Sequence, residues 1–198
     1  MAKAPGKVQQ TRNIAARLAA YSASNGIPEN TVVWDGTWGG SWTDAGYTSG
    51  GLHFSTEVTR AGIEVDQELD PIFLVATGRT AVMNTNLSEF DVDSIVIGTG
   101  QGAVTTLAAT TALRGYEEWA MGSTISDTGY AIGFDIDGRD GEPIRFIGWN
   151  GFPNAGMTLD FVKDSTTGAL IPLSFQLTPD ASNSNRIATI RDISPVSA

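Results

Sequence analysis

The chain has 198 residues, a length that suits one domain or one domain with an arm. Hydrophobic residues make up 41%, charged residues only 17%, and there are 23 glycines, which favours a β-rich protein with tight turns over a helical bundle. The chain has no cysteine, one histidine and no run of about 18 apolar residues, which excludes disulfides, thiolate chemistry, a multi-histidine metal site and a membrane-spanning helix.

The net charge of −10 is unevenly distributed along the chain. Residues 1–30 carry a net charge of +3, and residues 31–198 carry a net charge of −13. We therefore expect residues 1–30 to form a helical or extended N-terminal arm that docks through Arg12 and Arg17 on an acidic neighbouring subunit. A solvated tail and a mitochondrial transit peptide are the alternatives. The acidic body, residues 31–198, is not expected to bind nucleic acid by counterion release.

Within this arm, residues 8–24 have a composition that favours a helix. Ile14 and Leu18 share one helical face, and Asn25-Gly26 is a typical stop signal. The apolar stripe is thin, so the predicted helix needs a partner surface to be stable.

A loop rich in glycine, tryptophan and serine is predicted over residues 34–51. Trp34, Trp38 and Trp42 recur at every fourth residue, but the glycines between them argue against a helix. Exposed tryptophans are costly, so we expect these rings, with Tyr47, to be buried in contacts between subunits. The alternative is a carbohydrate-binding module in which the tryptophans stack on sugar rings.

From residue 52 the sequence alternates between apolar and polar residues, as a β-strand does. A turn at residues 60–62 and a returning strand predict a hairpin with one apolar face. Its polar face would carry Glu57, Glu64 and Asp66.

A further extended run over Thr80–Leu87 precedes a short helix. Ser88 and the acidic residues after it match an N-terminal capping pattern, so the helix is expected to run to Ile97 and end at Gly98. Residues 103–119 are ambiguous between helix and strand.

The last third of the chain contains several alternating segments separated by turns. The predicted strands cover residues 132–136, 144–149, 157–161, 171–177 and 186–193. With the earlier segments this predicts a mainly β chain of about seven to nine strands and one short flanking helix, folded as an antiparallel β-sandwich or curved barrel.

Asp127-Thr128-Gly129 matches the aspartic-protease tripeptide, but it occurs only once, so a homodimer would have to supply the second carboxylate. A hydrolase built on Asp127 and His53 is therefore an alternative, while a strand-entry turn is the ordinary interpretation. The segment that contains Gly98, Gly100 and Gly102 lacks the lysine of a phosphate-binding loop, and we interpret it as the end of the helix.

A group of acidic residues in the last third suits Ca²⁺, which prefers carboxylate oxygens. The group comprises Asp135, Asp137, Asp140 and Glu142. Arg139 occupies the position where an EF-hand has its third ligand, and Asp-Gly pairs are common in ordinary hairpin turns. We expect no catalytic residue, no metal site and no cofactor, with the cation at this turn left as an alternative.

The region between Asp35 and Ile97 also carries a recognisable order of residues. They are Asp44, Gly46, Tyr47, Gly50 and Gly51, then Val65, Asp66 and Gln67, then Pro71, and finally Leu87 and Glu89 before the predicted helix. This order resembles the major tail (tail tube) proteins of long-tailed bacteriophages. The segment from Ala169 to Asp192 resembles the closing hairpin of that family more weakly.

The resemblance implies a structural subunit without enzymatic activity, in the tail of a siphovirus-like virion assembled in the bacterial cytoplasm. Six copies would form a ring, and rings would stack into a tube around a tape-measure protein, bounded by tail terminator and baseplate proteins. The tube would later pass double-stranded DNA without binding it specifically. If Glu57, Glu64 and Asp66 face the bore, its wall is acidic or neutral and phosphates slide past it. An ordinary solvated strand face is the alternative.

Overall fold

The computed structural model describes residues 14–20, 32–34, 36–64, 66, 70–89, 91–125, 128–138, 142–154, 156–159 and 170–193. The strands in this part of the chain are β1 (Ile14–Ala20), β2 (Thr43–Ile63), β3 (Phe73–Leu87), β4 (Gln101–Leu107), β5 (Tyr116–Ile125), β6 (Tyr130–Asp137), β7 (Pro143–Pro153), β8 (Ile171–Leu177) and β9 (Ala188–Asp192). One helix, α1 (Val92–Thr99), lies between β3 and β4, and a 3-10 turn (Ala181–Asn183) precedes β9. The predicted mainly β fold with one short helix is confirmed.

Six of the strands close into an antiparallel barrel. Their order is β6-β1-β2-β3-β8-β7, and β7 pairs with β6 to complete the circle. Strand β9 lies along the same edge of β7 as β8, because β7 pairs with β8 through residues 151–153 and with β9 through residues 144–148. Strands β4 and β5 form a separate two-stranded hairpin. Closure satisfies most of the strand edges within the chain itself.

The barrel is filled by alternate side chains of its strands, which are almost completely buried. They are Met83, Leu87, Ile132, Phe134, Phe146, Leu173, Phe175 and Leu177. Helix α1 adds Ile95 to the same cluster, and Gly98 brings the helix so close to Met157 and Leu173 that a Cβ at this position would collide with both. The predicted helix is confirmed, but it begins after Asp91 and ends at Gly100, whose left-handed backbone forms the C-cap.

Two adjacent glycines form a bulge within the long strand β2. Gly50 and Gly51 have φ of +79° and +82°, values that favour glycine, and the register with β3 shifts between Ser49 and Leu52. The part of β2 before this bulge pairs with β1 and, through Thr48 and Ser49, with β3, whereas the part after it pairs with β3 alone. The predicted loop over residues 34–51 is therefore wrong beyond Trp42, where the chain enters the sheet.

The helix predicted over residues 8–24 is wrong for residues 14–20, which form β1. This strand lies between β2 and β6 and pairs with both, with Ala16 opposite Phe134 and Leu18 opposite Ile132. Hydrogen bonds to two neighbouring strands outweigh the helix propensity of an alanine-rich segment. Residues 1–13 and 21–30 lie outside the described residues, and the division of the chain at residue 30 stays a prediction.

The turn predicted at residues 60–62 is also wrong. Strand β2 continues to Ile63, and the connection to β3 falls between residues 63 and 73. The Pro71 ring leaves no room for a side chain at position 62, because a Cβ on Gly62 would lie 2.7 Å from it. In the last third, β6, β7, β8 and β9 confirm the predicted strands, but residues 156–159 are not in a strand.

Candidate assembly surfaces

Two of the three tryptophans predicted at a subunit contact are buried within their own chain. Trp38 and Trp42 pack edge to face, 5.1 Å apart between ring centroids, on the outer face of the β6–β7 hairpin beside Trp149. Gly133 on β6 leaves the space for them, since a Cβ there would collide with the Trp38 ring. The structure therefore corrects the predicted contact role of Trp38 and Trp42, because their burial requires no second subunit. Trp34 is half-buried, and its role stays a prediction.

A buried ion pair holds this tryptophan segment against the barrel. Asp135 on β6 and Arg145 on β7 are fully buried and directly opposite each other, with 3.3 Å between Arg145 Nε and Asp135 Oδ1. Arg145 also donates a hydrogen bond to the Val32 carbonyl, and its guanidinium lies 5.8 Å from the Trp38 ring centroid. Trp38 Nε1 donates to Asp135 Oδ2 over 3.4 Å. Residues 32–42 are thereby tied to the β6–β7 hairpin.

This ion pair changes the interpretation of the acidic residues that suggest calcium. The Asp135 carboxylate is already paired with Arg145 and is sealed from solvent, so it is not available to a cation at the turn. Among the described residues no group of three or more His, Cys, Asp or Glu side chains is placed to hold a metal ion. Residues 139–141, including Asp140, lie outside the described part of the chain, where the calcium alternative stays untested.

The basic residues predicted to reach a neighbouring subunit are placed differently from one another. Arg17 on β1 is 4% exposed, and its Nη1 lies 2.8 Å from Asp44 Oδ1 on β2, so its charge is paired inside the chain rather than presented to a neighbour. This corrects its predicted contact role. Arg12 lies outside the described residues. Tyr47, in contrast, is 74% exposed and stays a candidate contact.

The remaining motifs do not converge on a catalytic arrangement in the described residues. His53 is exposed on β2 opposite Asn84, whereas Asp127 lies outside the described residues. The glycines at 98–102 end α1 and begin β4, which confirms the interpretation as the end of the helix. Burial raises the pKa of the Tyr130 phenol above its ordinary value of 10.0.

The largest exposed feature is the hairpin of β2 and β3, which extends well beyond the barrel. The two strands pair continuously from the Leu52–Thr85 pair to the Ile63–Phe73 pair, with one bulge after Thr59. From Glu57 onward every described residue of the hairpin is exposed, up to Thr80 on β3. At the rise of an extended strand, residues 57–63 span about 20 Å.

The two faces of this hairpin differ in chemistry. Residues directly opposite each other share a face. One face continues the barrel interior: Phe54 lies opposite buried Met83, Thr56 lies opposite buried Ala81, and Val58 follows. The other face is mainly polar beside the barrel, with His53, Ser55, Glu57, Thr80 and Asn84, and becomes apolar towards its end, where Ile63 lies opposite Phe73.

The three acidic residues predicted to face a bore are all exposed but occupy two different places. Glu57 lies on the polar face of the β2–β3 hairpin, whereas Glu64 and Asp66 lie beyond the end of β2, in the connection to β3. Glu64 and Asp66 therefore do not belong to a returning strand as predicted. Whether any of the three lines a bore stays a prediction.

The end of the hairpin is apolar as well as acidic, and we call residues 62–75 the hairpin tip. Ile63, Ile72, Phe73, Leu74 and Val75 are between 39% and 62% exposed. The same segment carries four acidic residues and no basic residue. The β4–β5 hairpin also exposes large side chains, including Leu113 at 67% and Met121 at 66%.

An open groove lies between the root of the β2–β3 hairpin and β9. It has a volume of about 560 Å³, and its lining includes Phe54 and Arg79 from the hairpin and Arg186 and Ile190 from the C-terminal segment. Phe146 forms part of its lining and lies 4.8 Å from Phe54 between ring centroids. No pattern in the sequence indicates this groove, because the groove depends on where β8 stops pairing with β3.

The chain was compared with known proteins. None of the models of known protein families matches its sequence. No curated protein matches it either. No helix in the described residues is both long and apolar enough to cross a membrane.

Proposed function

We propose that this chain is a structural subunit that polymerises with copies of itself into a hollow tube, as the tail tube subunit of a long-tailed bacteriophage does. Six copies would form each ring, and stacked rings would enclose the tape-measure protein and later the DNA in transit. The tail terminator and baseplate proteins would contact the ends of the tube in the virion.

The observation that carries this proposal is the projecting β2–β3 hairpin. A two-stranded ribbon that leaves the body of a monomer is marginally stable in water and needs a surface to pack on. This face of the ribbon exposes Phe54 by 38%, Val58 by 39% and Leu74 by 59%, and it also carries Arg79 opposite Val58. Monomeric proteins seldom leave several large apolar side chains of one hairpin uncovered, and in a polymer a neighbouring copy is available to cover them.

The opposite face of the ribbon supports the second half of the proposal, a water-filled bore. Near the barrel most of the side chains there are polar or acidic, including Ser55, Glu57 and Thr80. If neighbouring ribbons join side by side, these side chains face the channel, and an acidic or neutral wall does not retain DNA phosphates. The exposed β4–β5 hairpin offers further strand length for such a wall.

The carbohydrate-binding alternative has less support. Sugar stacking requires an accessible ring face, whereas Trp38 and Trp42 are 2% and 7% exposed. Trp149 beside them is 2% exposed. The large exposed aromatic side chains on the two hairpins of the described chain are Phe54, Phe73 and Tyr116.

The proposal is tested with two matched lysine substitutions on the two faces of β2. Val58→Lys places a charge on the apolar face, and Ser55→Lys places the same charge on the polar face, three residues away. Both positions are exposed, so both variants should fold, as far-UV circular dichroism would verify. Assembly is then followed by sedimentation velocity and negative-stain electron microscopy.

We expect the wild-type chain and Ser55→Lys to form rings or tubes and Val58→Lys to remain monomeric. The reason is that Val58→Lys would bury a charge against an apolar neighbour, which is strongly unfavourable without a partner. Equal assembly of the two variants would show that the apolar face of the hairpin does not mediate polymerisation.

A further inference from the structure

We propose that the acidic hairpin tip of one copy inserts into the groove beside β9 of the next copy. This inference depends on the proposed function and specifies the contact by which the copies join. The groove and the tip lie at different places on the same chain, so the contact is head-to-tail. Head-to-tail contacts build rings when the rotation closes and open filaments when it does not.

The groove is a gap in the barrel wall where one strand is missing. Strand β8 pairs with β3 only along Val82–Leu87, and the part of β3 from Phe73 to Ala81 has only β2 as a strand partner among the described residues. On the other side of the gap, β9 pairs with β7 and with no other described strand. Two unpaired backbone edges therefore flank an apolar floor, which is the arrangement that accepts an added strand.

The charges of the groove and the hairpin tip are complementary. The groove is lined by Arg79 and Arg186, both exposed and neither paired with an acidic residue of the described chain, and its lining contains no acidic side chain. The hairpin tip carries four acidic residues, including Glu64 and Asp70, and no basic one. Its apolar side chains are the large ones that suit a floor made of Phe54 and Phe146.

The chain's own hairpin tip cannot reach this groove. Val58 lies opposite Arg79 at the edge of the groove, and five further residues of extended strand carry the chain about 17 Å away to Ile63. The N-terminal segment, residues 1–13, is a less suitable occupant because its charged residues are all basic, like the two arginines of the groove. A second copy is the source that provides both the acidic charge and the extended backbone.

Cysteine cross-linking tests the contact directly, because the natural chain has no cysteine. Ile72→Cys on the tip and Ile190→Cys in the groove are made as separate variants, mixed in equal amounts and oxidised under assembly conditions. We expect a disulfide-linked dimer from the mixture, since a disulfide requires Cα atoms within about 7 Å. Leu113→Cys on the β4–β5 hairpin replaces Ile72→Cys in the control mixture and should give no such dimer with Ile190→Cys.

Charge reversal provides a second readout. The groove variant Arg79→Glu/Arg186→Glu and the tip variant Glu64→Lys/Asp70→Lys should each raise the concentration needed for assembly by about tenfold or more, because like charges then meet across the contact. A chain that carries all four substitutions restores opposite charges and should assemble better than either double variant. All four positions are exposed, so the folded monomer should be unaffected.

The outcomes separate this inference from the proposed function. If the wild-type chain forms tubes but no tip-to-groove cross-link appears and the charge variants assemble normally, the proposed contact is wrong. The proposed function as a tube subunit is then unaffected. An intramolecular cross-link between Lys7→Cys and Ile190→Cys would show that the N-terminal segment fills the groove, which also overturns the contact. A wild-type chain that stays monomeric under all conditions overturns both proposals.

Discussion

Replacement of Arg145 by methionine should destabilise the folded chain more than any surface substitution. The variant removes the cation that neutralises Asp135 and leaves that carboxylate fully buried beside Trp38. It also removes the hydrogen bond that Arg145 donates to the Val32 carbonyl. Methionine fills much of the arginine's volume, so the expected loss comes from charge and hydrogen bonding rather than from a cavity.

The size of this effect follows from the burial of both charges. Removal of one partner from a buried ion pair typically costs about 3–5 kcal/mol, because the remaining charge has neither water nor a counterion. Small and medium domains unfold in urea with a slope of about 2 kcal/mol per molar. A loss of about 4 kcal/mol therefore lowers the urea midpoint by about 2 M.

The measurement is urea unfolding followed by tryptophan fluorescence and circular dichroism, at concentrations at which the chain is monomeric. Arg114→Met is the matched control, since Arg114 is exposed, and it should change stability by less than about 0.5 kcal/mol. The double variant Arg145→Met/Asp135→Leu removes both charges and should regain at least half of the loss. If Arg145→Met unfolds at the same urea concentration as Arg114→Met, the argument from the buried pair is refuted.

Two further outcomes are expected. Gly133→Ala should displace the Trp38 ring, lower the free energy of unfolding by about 1–3 kcal/mol and shift the tryptophan emission to longer wavelength. The control is Gly39→Ala, which should leave the emission unchanged because its added Cβ meets nothing within 4 Å. Unfolding measured as a function of pH should show stability falling above about pH 10: the Tyr130 phenol ionises in the unfolded chain while burial keeps it protonated in the folded chain. Tyr130→Phe should make this alkaline loss smaller, and an unchanged slope would show that other groups cause it.

Local patterns in the sequence predict the β6–β7 hairpin, whose partners are close along the chain, but not the β4–β5 hairpin or the turn between β2 and β3. The β6–β7 hairpin was predicted because apolar and polar residues alternate on both sides of a glycine-containing turn. The same register places Asp135 opposite Arg145, so the buried ion pair was accessible from the sequence through the predicted turn. The alternating acidic residues indicate Asp135 only as a candidate metal ligand, whereas in the fold it is the ion-pair partner of Arg145.

Several of the features that the sequence predicts wrongly depend on distant partners. Strand β1 is helix-like in composition and becomes a strand because β2 and β6 supply hydrogen bonds from both sides. Trp38 and Trp42 were expected at a subunit contact, but the outer face of β6–β7 covers them, and only the folded chain shows that Gly133 leaves the space. The groove beside β9 likewise depends on the point at which β8 leaves β3.

Negative-stain electron microscopy of the concentrated wild-type chain tests polymerisation most directly. We expect rings with six-fold symmetry and a central channel, alone or stacked into tubes, because the apolar face of the β2–β3 hairpin requires a neighbouring copy. A preparation that contains only separate monomers at every concentration and salt condition would contradict the account.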